Sequence, residues 1–244
     1  MGSEMCIRER YQPLDDYLDL SDDIWSDMSD VIEMFKYKDK HYVVPYCLSD
    51  PLLITYNRSL CEENGLDDPY ELYKKDKWDW DAFMDMMKTF VSNAKDGETR
   101  YGINGWFGQA MVQSTGETFV KYDGSKFSNN ISNPAIEEAE GVMEEIMSLG
   151  LYDPTWYGYL PDDGSTLFFG MADWALGASN VKADPNPDYE DDGFVEENDL
   201  MIVPFPKQPG SDEYYLNCNF GAKMLVKNSD KGDACLLYTS EAAD

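Results

Sequence analysis

The stretch Tyr42–Asn57, YVVPYCLSDPLLITYN, decides how the rest of the chain is read. Two short runs rich in β-branched and aromatic residues, Tyr42 to Tyr46 and Leu52 to Tyr56, flank a polar corner at Leu48-Ser49-Asp50-Pro51. Such a corner between strands puts Ser49 and Asp50 where the backbone changes direction, a common place for α/β chains to hold a ligand. Pro45 and Pro51 fix φ and remove donors that a central ladder would use, which stiffens the corner.

Outward from it, local signals mark helices and turns. Arg58 to Asn64 reads as a short helix stopped by Gly65. Asp79 caps a helix with Trp80, Phe83, Met84, Met87, Phe90 and Val91 on its apolar face. Tyr101-Gly102-Ile103 is a brief strand running into Asn104-Gly105-Trp106-Phe107-Gly108, where two large rings between glycines are candidates for exposure to a cleft. A hairpin turns at Asp123-Gly124, and Asn133-Pro134 opens a helix that closes at Gly150. A Pro and aromatic loop runs from Pro154 to Pro161. Leu167 to Leu176 is apolar, Leu200 to Val203 reads as a strand, and Asn217 to Val226 holds the last strand-like run. Upstream, Tyr11 to Lys40 is acidic, with helical spacing of Leu14, Tyr17, Leu18, Leu20, then Ile24, Met28, Val31, Ile32 and Phe35.

Composition excludes whole classes. With 48 acidic against 19 basic residues among 244, the formal charge of -29 repels phosphate backbones and anionic membrane surfaces, so no nucleic-acid partner is expected. No window is apolar and long enough to span a bilayer. The five cysteines, Cys6, Cys47, Cys61, Cys218 and Cys235, have neither CxxC spacing nor an even framework, which argues against structural zinc and leaves no disulfide assignable. The lone His41 reads as an exposed turn residue. In the acidic run Ala183 to Asp199, Asp184, Asn186 and Asp188 alternate as in a calcium loop, but Tyr189 stands where the sharp turn needs glycine and no glutamate closes the site. No metal and no cofactor is expected.

Both ends resemble translated sequencing adapter: Cys235 to Ser240 reads CLLYTS, and Gly2 to Arg10 reads GSEMCIRER, matching opposite strands of one oligonucleotide. Residues 1–10 and 235–244 are therefore set aside from the fold argument.

The order of landmarks resembles the extracellular solute-binding proteins that serve sugar ABC importers, the maltose-binding-protein-like group. The matching pieces are VPYCLSDPLLITYN, ENGLDDP, WDWDAFMDMM, YGI with its aromatic loop, GETFVKYDGSKF, SNPAIEEAEGVMEEI, FFGMADW, IVPFPKQPG and FGAKMLVKNSDKGDA, covering nearly all of Tyr11 to Ala234. The resemblance implies an α/β, type II periplasmic-binding-protein-like fold of two lobes, present as an incomplete fragment. One lobe would take 11–48 and 204–234 and the other 52–200, with Ser49-Asp50 as a crossover. It implies a monomeric protein that binds a carbohydrate without catalysis and delivers it to permease subunits. The location would be extracellular or periplasmic, with a lipid anchor in the full-length protein. Its acidic sugar-contacting position matches Asp50, its aromatic stacking position Trp106, and its polar contacts Asn104, Asn180 and, more weakly, Asn219. Of the glycine pair that follows the aromatic, Gly116 survives and Glu117 replaces the second.

Those residue types suit a sugar for their own reasons. A sugar ring stacks its CH face on an indole, and its hydroxyls both donate and accept, as Asn does, while Asp accepts. Two other functions fit the composition: a glycosidase with paired carboxylates, and an acidic extracellular module that binds other proteins.

Overall fold

A computed structural model describes residues 10–158, 160–161, 163–173 and 199–229. The chain divides into two compact units, which the backbone enters and leaves at residues 49–50, 120–121, 128–129 and 218–219.

The first unit is built from short pieces. Strand β1 (Tyr11–Gln12) pairs with β12 (Leu225–Val226), and β2 (Lys36–Tyr37) with β3 (Lys40–His41). Between β1 and β2, a 3-10 turn at Asp23–Met28 leads into α1 (Ser29–Met34), the Asp22 carboxylate accepting from the Ile24 N–H. Strand β4 (Val44–Ser49) pairs with β11 (Asn219–Lys223) from Val44↔Lys223 to Ser49↔Asn219. The register slips between Gly221 and Ala222, opposite Tyr46, which is how this ladder accommodates Pro45. Strand β4 thus begins two residues later than the sequence suggests and runs through Leu48 and Ser49, shrinking the expected corner to Asp50-Pro51.

His41 corrects the sequence reading. It is 8% exposed. Its Nδ1 lies 2.8 Å from Asp15 Oδ1 and its Nε2 3.3 Å from Glu33 Oε1, while its backbone N–H donates to Asp15 Oδ2. Asp15, 26 residues upstream, and Glu33, 8 residues upstream, bracket the ring. Burial alone would raise the Asp15 carboxyl, but hydrogen bonds from the His41 ring and backbone outweigh it and hold it below the ordinary carboxylate range.

The hairpin of β7 (Val120–Tyr122) and β8 (Phe127–Asn129) contributes residues 121–128 to this unit. Tyr122 lies 4.8 Å from Phe127 and 5.5 Å from Tyr37, centroid to centroid. At its turn the exposed Asp123 carboxylate accepts from the Lys126 N–H, the Ser125 hydroxyl and the Ser125 N–H, which bring it down to about 2. A carboxyl held down in the folded state stabilises above its unfolded value of about 3.9 and loses that contribution as pH falls through the folded value. The Ser125 and Lys126 amide resonances are therefore expected to shift between about pH 3 and pH 1, with a midpoint near 2. A midpoint near 4 would mean that the turn bonds are not held in solution.

The second unit carries the main core. Its sheet has the order β10-β5-β9-β6, from β5 (Leu52–Asn57), β6 (Tyr101–Gly105), β9 (Thr166–Ala172) and β10 (Leu200–Pro204). Strand β9, TLFFGMA, is buried at every position, so both of its faces are covered, and it reads as a nearly unbroken apolar run for that reason. Helices α2 (Arg58–Glu63) and α3 (Pro69–Lys74) follow β5, and α4 (Trp80–Ser92) precedes β6. The Asp79 cap accepts from Ala82 N–H at 3.0 Å. Trp80, Phe83, Met87 and Phe90 of α4 are all buried, and Phe83 meets Phe168 at 5.1 Å. Each such side chain contributes about 1.5–3 kcal/mol by burial. Gly102 lets β6 approach α4, since a Cβ there would sit 2.6 Å from Met87 Cβ. Beyond β6, α5 (Gly108–Gln113) and α6 (Pro134–Ser148) complete the layer, α6 capped by Asn133 as its sequence suggests.

Residues 204–218, expected with the first lobe, are counted with this unit. Phe205 is buried in the core, and the Trp78 indole donates to the Pro204 carbonyl at 2.8 Å. Gly116 accepts close approach here too, with φ +73° and the Tyr215 ring 2.5 Å from where a Cβ would stand. The adapter-like ends, apart from Arg10, and the calcium-like run at 184–188 lie outside the described residues.

Candidate functional site

The sheet register brings the corner and the aromatic loop to one place. Leu52 of β5 pairs with Ala172, and Gly105 of β6 with Gly170, on opposite sides of β9. The start of β5, the end of β6 and the end of β9 therefore share one edge of the sheet. Asp50, two residues before Leu52, and Trp106, one after Gly105, emerge there in the same unit, on strands spaced on the order of 10 Å apart. Asp50 itself takes a left-handed φ of 49°, a conformation that Asp tolerates better than most residues.

Trp106 is presented by a backbone that only glycine permits. Gly105 has φ +89°, and a Cβ on it would stand 2.2 Å from the Gly170 carbonyl oxygen. Trp106 N–H donates to that same oxygen at 2.6 Å. The outcome is an indole 54% exposed, followed by Phe107 at 7%; of the two rings expected at a cleft, the second is nearly buried and reaches the cleft only as part of its lining. Beside the indole is an open, apolar-lined groove of about 480 Å³, bounded by Leu52, Gly105, Trp106, Phe107, Met143 and Tyr152 among others.

Trp156 was not anticipated. It is 55% exposed, and its ring lies 5.2 Å from that of Trp106 at 31°. Its only sequence signal is an aromatic in a Pro- and Gly-bounded loop, the same signal that drew attention to Trp106. Asn104 is 1% exposed and donates its Nδ2 to the carbonyls of Asp153 and Thr155 at 2.9 and 2.6 Å. Its Oδ1 has no hydrogen-bond partner among the described residues. Asn219 lies in the first unit, exposed and opposite Ser49; Asn180 lies outside the described residues.

Among the described residues no group of His, Cys, Asp or Glu side chains is arranged to hold a metal, and no helix is long and apolar enough to cross a membrane. Cys61 is buried, which pushes its thiol up to about 12 and makes it a packing residue.

The architecture is that of the type II periplasmic binding proteins. Residues 9–233 match the family described as bacterial extracellular solute-binding protein, and the chain belongs to that family. Its fold is similar to that of the sugar-binding protein MalE from Xanthomonas citri, with a TM-score of 0.72 at 16% identity over 99% of this chain. The cyclic alpha-maltosyl-1,6-maltose binding protein of Arthrobacter globiformis gives 0.65 at 19% identity over 99%. The galacto-N-biose-/lacto-N-biose I-binding protein of Bifidobacterium longum gives 0.64 at 13% over 98%. The chain spans 58%, 58% and 56% of those proteins. No curated protein matches it significantly.

Proposed function

We propose that this chain is part of the substrate-binding component of an ABC importer, a monomer that works outside the cytoplasm, binds a carbohydrate and performs no chemistry on it. The observation that carries the reading is the exposed Trp106 indole, beside an apolar-lined groove, at the sheet edge where Asp50 also emerges. An indole face takes the CH face of a sugar, and a carboxylate accepts from its hydroxyls. Membership of the solute-binding family and the fold shared with proteins named for maltosyl and lacto-N-biose ligands support it. The glycosidase alternative needs a general acid whose carboxyl is raised.

The test is thermal denaturation with malto-oligosaccharides, lacto-N-biose and β-1,6-galactobiose, coupled to chromatography of the sugars afterwards. A ligand at a hundred times its Kd stabilises by about 2.7 kcal/mol, so binding raises the midpoint by several degrees with the sugars recovered intact. Cleaved product would establish the enzyme reading, and a midpoint unmoved by every sugar would remove the carbohydrate reading.

A further inference from the structure

Resting on the sugar-binding reading of Trp106, we infer that Asn104 and Trp156 are positioning residues for that indole: the Asn104 amide fastens residues 153–156 to the end of β6, and the Trp156 ring fastened there fixes the tilt of Trp106. The segment Leu151–Asp153 runs along β6, with Ile103 N–H donating to the Leu151 carbonyl at 3.0 Å and Asp153 N–H to the Ile103 carbonyl at 2.9 Å. From there the Asn104 side chain continues the attachment through the Asp153 and Thr155 carbonyls. Those two acceptors fix the amide's orientation, because the reverse one would set Oδ1 against two carbonyl oxygens with no hydrogen between them. The Asp153 carboxylate closes the turn by accepting from Thr155 N–H at 2.9 Å.

One buried amide therefore controls both rings: Asn104 stands two residues before Trp106, and Thr155 one before Trp156. At a centroid separation of 5.2 Å and 31° of tilt, each indole covers part of one face of the other, within the range of favourable ring pairs. Each remains more than half exposed, so surface is left for a sugar. A ring packed against the indole lowers the rotamer freedom that a stacking ligand would otherwise have to remove, and the Trp156 ring contributes to that.

Two coupled indoles contribute an exciton couplet to circular dichroism; because Trp78 and Trp80 also lie together in the core, the ring pair is read as the part of the signal lost in both Trp106→Ala and Trp156→Ala. Trp106→Ala, Trp156→Ala, Trp156→Phe, Asn104→Asp and the double variant Asn104→Asp/Trp156→Ala are compared by that signal. Their affinities are measured by calorimetry for the panel sugar that stabilises the wild type most. Trp156→Ala and Asn104→Asp are each expected to remove the couplet and weaken binding about fivefold to tenfold. Trp156→Phe should recover most of the affinity, and the double variant should bind no more weakly than Trp156→Ala alone, because the amide acts through the ring. A Trp156→Ala variant with wild-type affinity, a couplet that survives Asn104→Asp, or losses that add in the double variant would each overturn the inference. If Asn104→Asp does not fold, Trp156→Ala and Trp156→Phe still decide it, since both leave the amide bonds in place. Loss of affinity in Trp106→Ala alone removes the buttress and leaves the sugar site standing; wild-type affinity in Trp106→Ala removes both.

Discussion

Gly105→Ala is expected to lower the stability of the second unit by roughly 3–5 kcal/mol and to spoil the presentation of Trp106. Two penalties combine. The residue holds φ at +89°, where an L side chain is strained. The added methyl would also stand 2.2 Å from the Gly170 carbonyl oxygen and 3.1 Å from the Phe169 ring, and a backbone oxygen inside a four-stranded sheet cannot swing aside as the tip of a long side chain could. Relief requires β6 to separate from β9, which would break the 2.6 Å bond from Trp106 N–H to Gly170. Urea denaturation measures the first consequence and the circular-dichroism couplet of the indole pair the second. An alanine variant as stable as the wild type, with the couplet unchanged, would mean that the two backbones do not approach this closely.

Trp106→Ala is expected to weaken carbohydrate binding on the order of tenfold to a hundredfold while leaving folding stability nearly untouched. The separation follows from exposure. An indole 54% exposed contributes little core burial, so its removal opens no closed cavity, yet it supplies the broad face on which a sugar would lie. Calorimetry with the stabilising sugar, set beside urea denaturation of the free protein, distinguishes the two. An unchanged affinity would show that the sugar stacks elsewhere. A large loss of stability would show that the ring belongs to the core.

Much of the frame was legible from local chemistry. Asp79 and Asn133 cap helices because their short side chains reach the free N–H groups of the next turn, and that needs no tertiary contact. Asp123-Gly124 turns a hairpin for the same kind of reason. The candidate site was legible in part. Trp106 declared itself by standing between glycines in a loop, and Asp50 by its place in a corner. Asn104 as the anchor of another loop was not visible, because its partners Asp153 and Thr155 lie 49 and 51 residues away. The burial of His41 between Asp15 and Glu33 was hidden similarly: nothing in the surrounding charged run distinguishes an imidazole facing water from one facing two carboxylates.

The sequence by itself determined the capped helices, the hairpin and the central strands of the second unit, because caps, turns and apolar periodicity act over a few residues. The family showed in the resemblance of its ordered motifs, and the helical spacing of Tyr11 to Lys40 folded as short strands and turns except at Asp23–Met28 and Ser29–Met34. Only the tertiary structure decided which side chains share the edge of the sheet. That depends on register: with β5 antiparallel and β6 parallel to β9, the start of one strand and the end of the other fall together. Reversing either strand's direction would have sent Asp50 and Trp106 to opposite ends.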